Sequence, residues 1–323
     1  MNNIAICLCS DNNYVQHLGA VISSVLKSKD ENDYIKFYIV DGGISEDNKQ
    51  KLNIFETKYD CQIQYIVPDM EKLKNCHTFK GDYISLATYF RLFIPELIPS
   101  EDKVIYLDCD IIVRKSLYDF YTKDFGNNLV LGVEDVSEKA HSARLNLERY
   151  VNAGAVLLNT KTMREENSVE KIIDWIATNN DKIECHDQDV LNAVFAGRIE
   201  YIEKVYNAQV RRNNLSEFDK IKDPVILHFI SPKKPWSLWK PINSTHWAKE
   251  YFTALESTPW ENFIDEYKKQ SLLYAPLKIF YPTGAIKILL NNIFSVKNSK
   301  DKQQKIITIL GFSLKISRNK IKR

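Results

Sequence analysis

No stretch of this chain is apolar enough to cross a bilayer: no uninterrupted apolar run approaches the ~18–20 residues a spanning helix needs. The opening, MNNIAICLCSDNN, has no basic segment ahead of its short apolar run and does not read as a secretion leader. Cysteine is sparse. Cys7, Cys9, Cys61, Cys76, Cys109 and Cys185 include no CxxC pair with zinc spacing, and without a leader they read as reduced thiols in packing positions. A GxGxxG fingerprint is absent, as are internal repeats and low-complexity segments. The body is therefore expected in the cytoplasm.

What is present is an ordinary globular composition, 44% hydrophobic and 27% charged over 323 residues. The formal charge of +2 hides a division. Residues 267–323 hold 13 Lys/Arg against one Asp, whereas residues 1–266 hold 31 against 41 acids. An acidic body with a basic tail predicts that the tail meets something anionic. The domain expectation follows: a catalytic body over 1–266 and a basic amphipathic appendage over 267–323.

Along the body, apolar strands alternate with helical spacing. Residues 3–9, 35–40, 62–67 and 103–107 read as strands; Val15, Leu18, Val21, Ile22, Val25 and Leu26 recur at helical spacing. Ser45 reads as a helix cap, and Ser85 as the cap of a short helix carrying Thr88 and Arg91. Residues 130–133 and 156–158 read as further strands, 169–177 and 190–195 as helices, and 225–230 as a late strand. The expected fold class is α/β: a single, mostly parallel sheet flanked by helices, with ligands bound beyond the carboxyl ends of the strands.

Several polar groups fall at such ends. In VIYLDCDIIV (104–113), Asp108 and Asp110 interrupt a buried strand. Burying carboxylates is costly unless a positive partner is present. A turned Asp-x-Asp offers hard oxygen ligands for Mn²⁺ or Mg²⁺; a solvated strand-end turn is the plainer alternative. His228 ends an apolar strand and can complete such a site, with Lys234 placed to neutralise a phosphate; a core histidine and a solvated lysine are the alternative. Asn152, Ala153 and Gly154 either let a ligand approach the backbone or make a tight turn into a strand. His186-Asp187-Gln188-Asp189 either caps a helix or aims a carboxylate and an amide into the cleft. Asp11, Asn13 and Tyr14 either hold a base and ribose or cap the next helix.

Taken in order, CSDNNY, ISLATYFRL (84–92), YLDCDIIV, VNAGAVLLN, HDQDVLN and HFISPKKPW resemble glycosyltransferase family 8 over roughly residues 3–250. The resemblance implies the GT-A nucleotide-sugar fold, Mn²⁺ (or Mg²⁺) and a UDP-hexose donor, galactose or glucose. It also implies a saccharide or glycolipid acceptor and retention at the anomeric carbon. By motif position it assigns the metal to Asp108, Asp110 and His228, and a phosphate contact to Lys234. It assigns uridine to Asp11, Asn13 and Tyr14, with Asp108 adding a ribose contact. Arg91, Asn152, Ala153, Asp187 and Gln188 would surround the donor sugar, Gln188 and Asp187 as the catalytic pair. Two positions depart from the family: Ser231, where glycine is frequent beside the phosphate, and Tyr83, where histidine is common.

Gln188 is an amide and a poor nucleophile, so same-face attack by the acceptor is expected, with the leaving phosphate taking its proton. The basic tail is expected to anchor the chain on anionic lipid at the inner face of the cytoplasmic membrane; no nucleic-acid partner is expected. Two rival classes remain at this point: a haloacid dehalogenase-type phosphatase using Asp108, and a sugar- or lipid-binding protein without turnover.

Overall fold

The run after Met1 forms β1 (Asn2–Ser10), in which Ile4 through Ser10 are all buried. A strand buried on both faces needs sheet neighbours on both sides and helices above and below. In this computed structural model β1 pairs in parallel with β2 (Asp33–Asp41) and with β4 (Val104–Leu107). Strand β3 (Cys61–Ile66) extends the sheet in parallel beyond β2. On the other side, β7 (Val151–Leu158) runs antiparallel to β4 and to β6 (Val130–Glu134), and β8 (Ile199–Tyr201) closes the edge in parallel with β6. The order is β3-β2-β1-β4-β7-β6-β8, a mostly parallel sheet. The structure describes residues 1–74, 76, 86–211, 220–230, 234–237, 246–256 and 258–269, and the backbone of three strands between 294 and 317.

Helix α1 (Val15–Ser28) buries all six apolar residues read from its spacing. Gly19 sits against Trp260, whose ring would lie 2.6 Å from any Cβ placed there. Ser45 caps α2 (Glu46–Lys58), accepting from Asn48 N at 3.4 Å. Short helical segments α3 (Ile94–Leu97), α4 (Tyr118–Tyr121), α5 (Glu138–Leu145) and α6 (Thr160–Glu165) precede α7 (Ser168–Asn179) and α8 (His186–Val194). Helix α9 (His246–Leu255) packs against α1.

A second, three-stranded sheet brings distant residues together. Strand β5 (Ile111–Val113) begins directly after Asp110, and β10 (Ile226–His228) pairs with it antiparallel, placing His228 opposite Ile111. Phe229 N donates to Asp110 O at 3.0 Å and extends that register. Strand β9 (Ala208–Gln209) flanks β10 in parallel.

The body also departs from its sequence reading. Strand β7 starts at Val151, so Asn152, Ala153 and Gly154 lie inside a strand and not in a turn before it. Helix α8 starts at His186, and the polar cluster forms its first turn. Cys185 stands at the cap without a side-chain cap bond, so Asp187 does not cap the helix. The Ser85 cap lies outside the described residues.

The chain divides into two compact units, Met1–Ile264 and Asp265–Arg323. In the second, β11 (Phe294–Asn298), β12 (Gln304–Ile309) and β13 (Phe312–Ser317) form an antiparallel meander, with Ile307 opposite Leu314 and Ile309 opposite Phe312. The tail's alternation of apolar and polar residues has the period of a strand. Among the described residues, no helix is long and apolar enough to cross a membrane.

Candidate active site

The parallel strands β1 and β4 end at one edge of the sheet and deliver Asp11 and Asp108 to it. Asp108 N donates to Gly154 O at 2.8 Å, so the β4–β7 pairing runs one residue past β4. The chain then turns through Cys109, and Asp110 faces the same hollow as Asp108. His228 arrives from β10. Its Nε2 lies 3.2 Å from Asp110 Oδ1 and 3.7 Å from Asp108 Oδ2. One ligand atom from each of these three residues lies within 4.8 Å of the others, a grouping able to hold a metal ion.

Two observations test whether a cation fits there. Asp110 Oδ1 is buried and finds no hydrogen-bond donor. An orphaned carboxylate oxygen of this kind is expensive without a positive partner. His228 and Asp108 can converge only because residue 154 is glycine: a Cβ there would lie 2.2 Å from His228 Cε1 and 2.6 Å from Asp108 Oδ2. Two carboxylates with one imidazole suit Mn²⁺ or Mg²⁺ better than a soft metal. The small residue at 154 thus makes room for the chain's own ligands, not for a ligand against the backbone.

Positive charge surrounds the cluster. Lys234 is buried; its Nζ pairs with Asp110 Oδ2 and donates to Phe229 O at 2.7 Å. Burial pushes the Asp110 carboxyl up, but Lys234 and His228 override it and hold it well below the usual range. The Lys234 segment is fixed by Trp236, which stacks on His17 at 3.8 Å. His17 Nδ1 in turn meets Tyr251 OH at 2.6 Å.

Arg91 is buried between two acids, with Nη2 2.9 Å from Asp108 Oδ1 and Nε 2.7 Å from Asp187 Oδ2. Its guanidinium lies over the Tyr106 ring and donates to Ala153 O at 2.8 Å. Burial opposes its charge, and Asp108 and Asp187 more than restore it. Asp187 also accepts from Thr88 Oγ1 at 2.6 Å. Burial outweighs Arg91 there and raises the Asp187 carboxyl above its ordinary value. Gln188 is clamped at both ends: Oε1 accepts from Ala153 N at 3.0 Å and Nε2 donates to Asp135 Oδ2 at 3.4 Å.

One cavity of about 580 Å³ gathers Asp108, Asp110, His228, Lys234, Arg91, Asp187, Gln188 and Asn152, with Asp11 and Tyr14 on its wall. Asp11 also shapes the turn ahead of α1, accepting from Asn13 N at 2.9 Å and Tyr14 N at 3.1 Å, while the helix itself starts after Tyr14 with no side-chain cap bond, so the capping alternative does not hold. Asn13 is exposed and lies outside this lining, and Ala153 contributes buried backbone behind it. Ser231 and Tyr83 lie outside the described residues. The sequence reading missed Asp135, which lines the cavity and accepts from Asn152 Nδ2 at 2.9 Å. It also missed Asn207, behind His228. Asp135 follows β6 as Asp108 follows β4, so the same strand-end signal was there to find it.

Comparison with known proteins bears on this geometry. The family described as Glycosyl transferase family 8 matches residues 5–240. General stress protein A of Bacillus subtilis is 30% identical over 273 residues, covering 78% of this chain and 93% of its own. The lipopolysaccharide 1,3-galactosyltransferase of Salmonella typhimurium is 26% identical over 289 residues, covering 84% and 83%. The solved structure of the galactosyltransferase LgtC, in complex with donor and acceptor sugar analogs, superposes with a TM-score of 0.72 at 25% identity, covering 80% of this chain and all of that one. The fold is thus GT-A. The chain belongs to glycosyltransferase family 8. The phosphatase reading is not favoured: Asp108 is tied to Arg91 and accepts from Tyr106 OH at 2.7 Å, which leaves it a poor nucleophile.

Proposed function

We propose that this glycosyltransferase moves a hexose, galactose or glucose, from a UDP-sugar to a saccharide or glycolipid acceptor, in a Mn²⁺-dependent reaction that retains anomeric configuration. The observation that carries the reading is the convergence of Asp108, Asp110 and His228 beside Lys234 in one cavity. The names of its relatives point the same way, since two of them are galactosyltransferases.

In this reading Asp108, Asp110 and His228 hold the ion, with Mg²⁺ as the alternative metal. A divalent ion there supplies charge neutralisation to the departing diphosphate. Lys234 adds a fixed ammonium beside the same oxygens. Asp11 and Tyr14 form the wall for uridine. Arg91, pinned by Asp108 and Asp187, is a rigid cation at the sugar end of the cavity. Asp187 and Asn152 offer oriented polar atoms to sugar hydroxyls.

Retaining hydrolases use a carboxylate nucleophile about 5 Å from their acid. The corresponding group here is the Gln188 amide, held by Ala153 and Asp135. Gln188 therefore presents a dipole to the developing oxocarbenium face. The acceptor hydroxyl attacks from the side the leaving group departs, and a phosphate oxygen of that group takes its proton. The tail, residues 267–323, would hold the body at an anionic membrane surface on the cytoplasmic side, where a lipid-linked acceptor is presented.

UDP release from a panel of UDP-sugars, with Mn²⁺ and with EDTA, tests the reading. Metal-dependent release from UDP-galactose or UDP-glucose is expected, with Gln188→Ala slower by about 100-fold. Full turnover in Gln188→Ala overturns its role. Phosphate release from a phosphomonoester, or sugar binding without turnover, overturns the transferase reading itself.

A further inference from the structure

His228 is held from behind by a line of buried amides. Its Nδ1 lies 3.0 Å from Asn207 Oδ1. Asn207 Nδ2 meets Asn152 Oδ1 at 2.9 Å, and Asn152 Nδ2 meets Asp135 Oδ2 at 2.9 Å. Amide and imidazole orientations are normally assigned and not seen, but here the ends of the line fix them. Gly154 N–H can only donate, and it meets Asn152 Oδ1 at 3.1 Å. The Asp135 carboxylate accepts at the other side of the same amide. Asn152 therefore has one orientation, and Asn207 must turn its NH₂ toward Asn152 and its oxygen toward His228. An amide oxygen only accepts, so Nδ1 carries a ring proton.

Nε2, the other ring nitrogen, faces Asp110 Oδ1 at 3.2 Å and Asp108 Oδ2 at 3.7 Å. Two carboxylates converging on that nitrogen call for a positive charge between them, a proton on Nε2 or, in its place, a divalent cation. The orphaned Asp110 Oδ1 is the other half of the same arrangement.

We infer that Asn207 is a positioning residue: through the Asp135–Asn152–Asn207 line it keeps a ring proton of His228 on Nδ1 and so reserves Nε2 as the nitrogen that faces a divalent cation. The inference rests on the metal-site reading above and adds what sets the ligand's tautomer. It also ties the two ends of the cavity together, because Asp135 orients Gln188 as well as, through the amides, His228.

Two measurements test it. Imidazole ¹⁵N–¹H correlation spectra of the full chain with Mg²⁺ and UDP are expected to show the His228 proton on Nδ1 alone. In Asn207→Leu under the same conditions a proton is expected on Nε2, where the carboxylates accept it; a purely structural role would not produce that shift. Free Mn²⁺, followed by electron paramagnetic resonance in the presence of UDP, is expected to report binding about 10–100-fold weaker in Asn207→Leu than in the unaltered chain. An unaltered chain without a proton on Nδ1 overturns the inference, and needs no variant to fold. Equal Mn²⁺ affinity in both proteins overturns the positioning role while the metal site stands. Absence of Mn²⁺ binding by the unaltered chain overturns the metal-site reading, and the spectrum still decides whether Nδ1 carries a proton.

Discussion

Gly154 occupies the point where β7 passes under both the Asp108 carboxylate and the His228 imidazole, and its missing side chain is what allows the cluster to form. Gly154→Ala puts a methyl into His228 and Asp108, so one of them must move. The expected cost is about 1–3 kcal/mol of stability, from overpacking. Mn²⁺ affinity measured with UDP is expected to fall by at least about tenfold. Denaturant midpoints and Mn²⁺ titration check the two effects separately. Single residues were legible where chemistry and position coincided. Asp108, Asp110 and His228 are ionisable groups at the ends of apolar strands, and burial there demands a partner. Asn207 carries no such signal: a neutral amide in a short helical turn looks like any loop residue, and its role exists only through the β9–β10 register. Asp135 was legible in principle, two residues past the strand read over 130–133, and was overlooked.

At the scale of elements, α1 does two jobs. It covers β1 with its apolar face, and it offers His17 as the base on which Trp236 stacks. Burial holds the His17 imidazole down to about 3 from its ordinary 6.5. The folded chain therefore binds fewer protons than the unfolded chain between those values. Stability is at its full value above pH 6.5 and declines as the pH falls toward 3, by up to about 1.4 kcal/mol per pH unit from this group. His17→Phe keeps a ring under Trp236 and removes the titration. Its stability is expected to change less between pH 6.5 and pH 4.5 than that of the unaltered chain, by denaturant melts at each pH. Parallel slopes for the two proteins would show that His17 does not carry the effect. Elements with long periodic patterns, such as α1 and β1, were readable because burial alone sets their spacing. Strand β7 was shortened in the reading because Asn152 and Gly154 break its apolar run, although both are buried and satisfied within the sheet. Strands β5, β8 and β9 have two or three residues each, too few for any period to show.

Over the whole molecule, charge is divided between an acidic body and a basic tail. The proposed membrane role predicts that the full chain sediments with vesicles containing anionic lipid and not with zwitterionic vesicles. Raising salt toward 0.5 M is expected to release it, since such attraction decays within a Debye length of about 10 Å at 0.1 M. A chain ending at residue 266 is expected to lose this binding and keep UDP release; undiminished vesicle binding would locate the membrane contact elsewhere. The order of motifs along the body marked the family before any coordinates, whereas the strands of the tail were hidden by a composition that also suits an interfacial segment. The central claim is local, and diffraction can address it directly. A crystal grown with UDP and Mn²⁺, with data collected near the manganese edge, should show one strong anomalous peak within coordinating distance of Asp108, Asp110 and His228 Nε2. A map with no peak there, or with the ion bound elsewhere while UDP fills the cavity, would contradict the account.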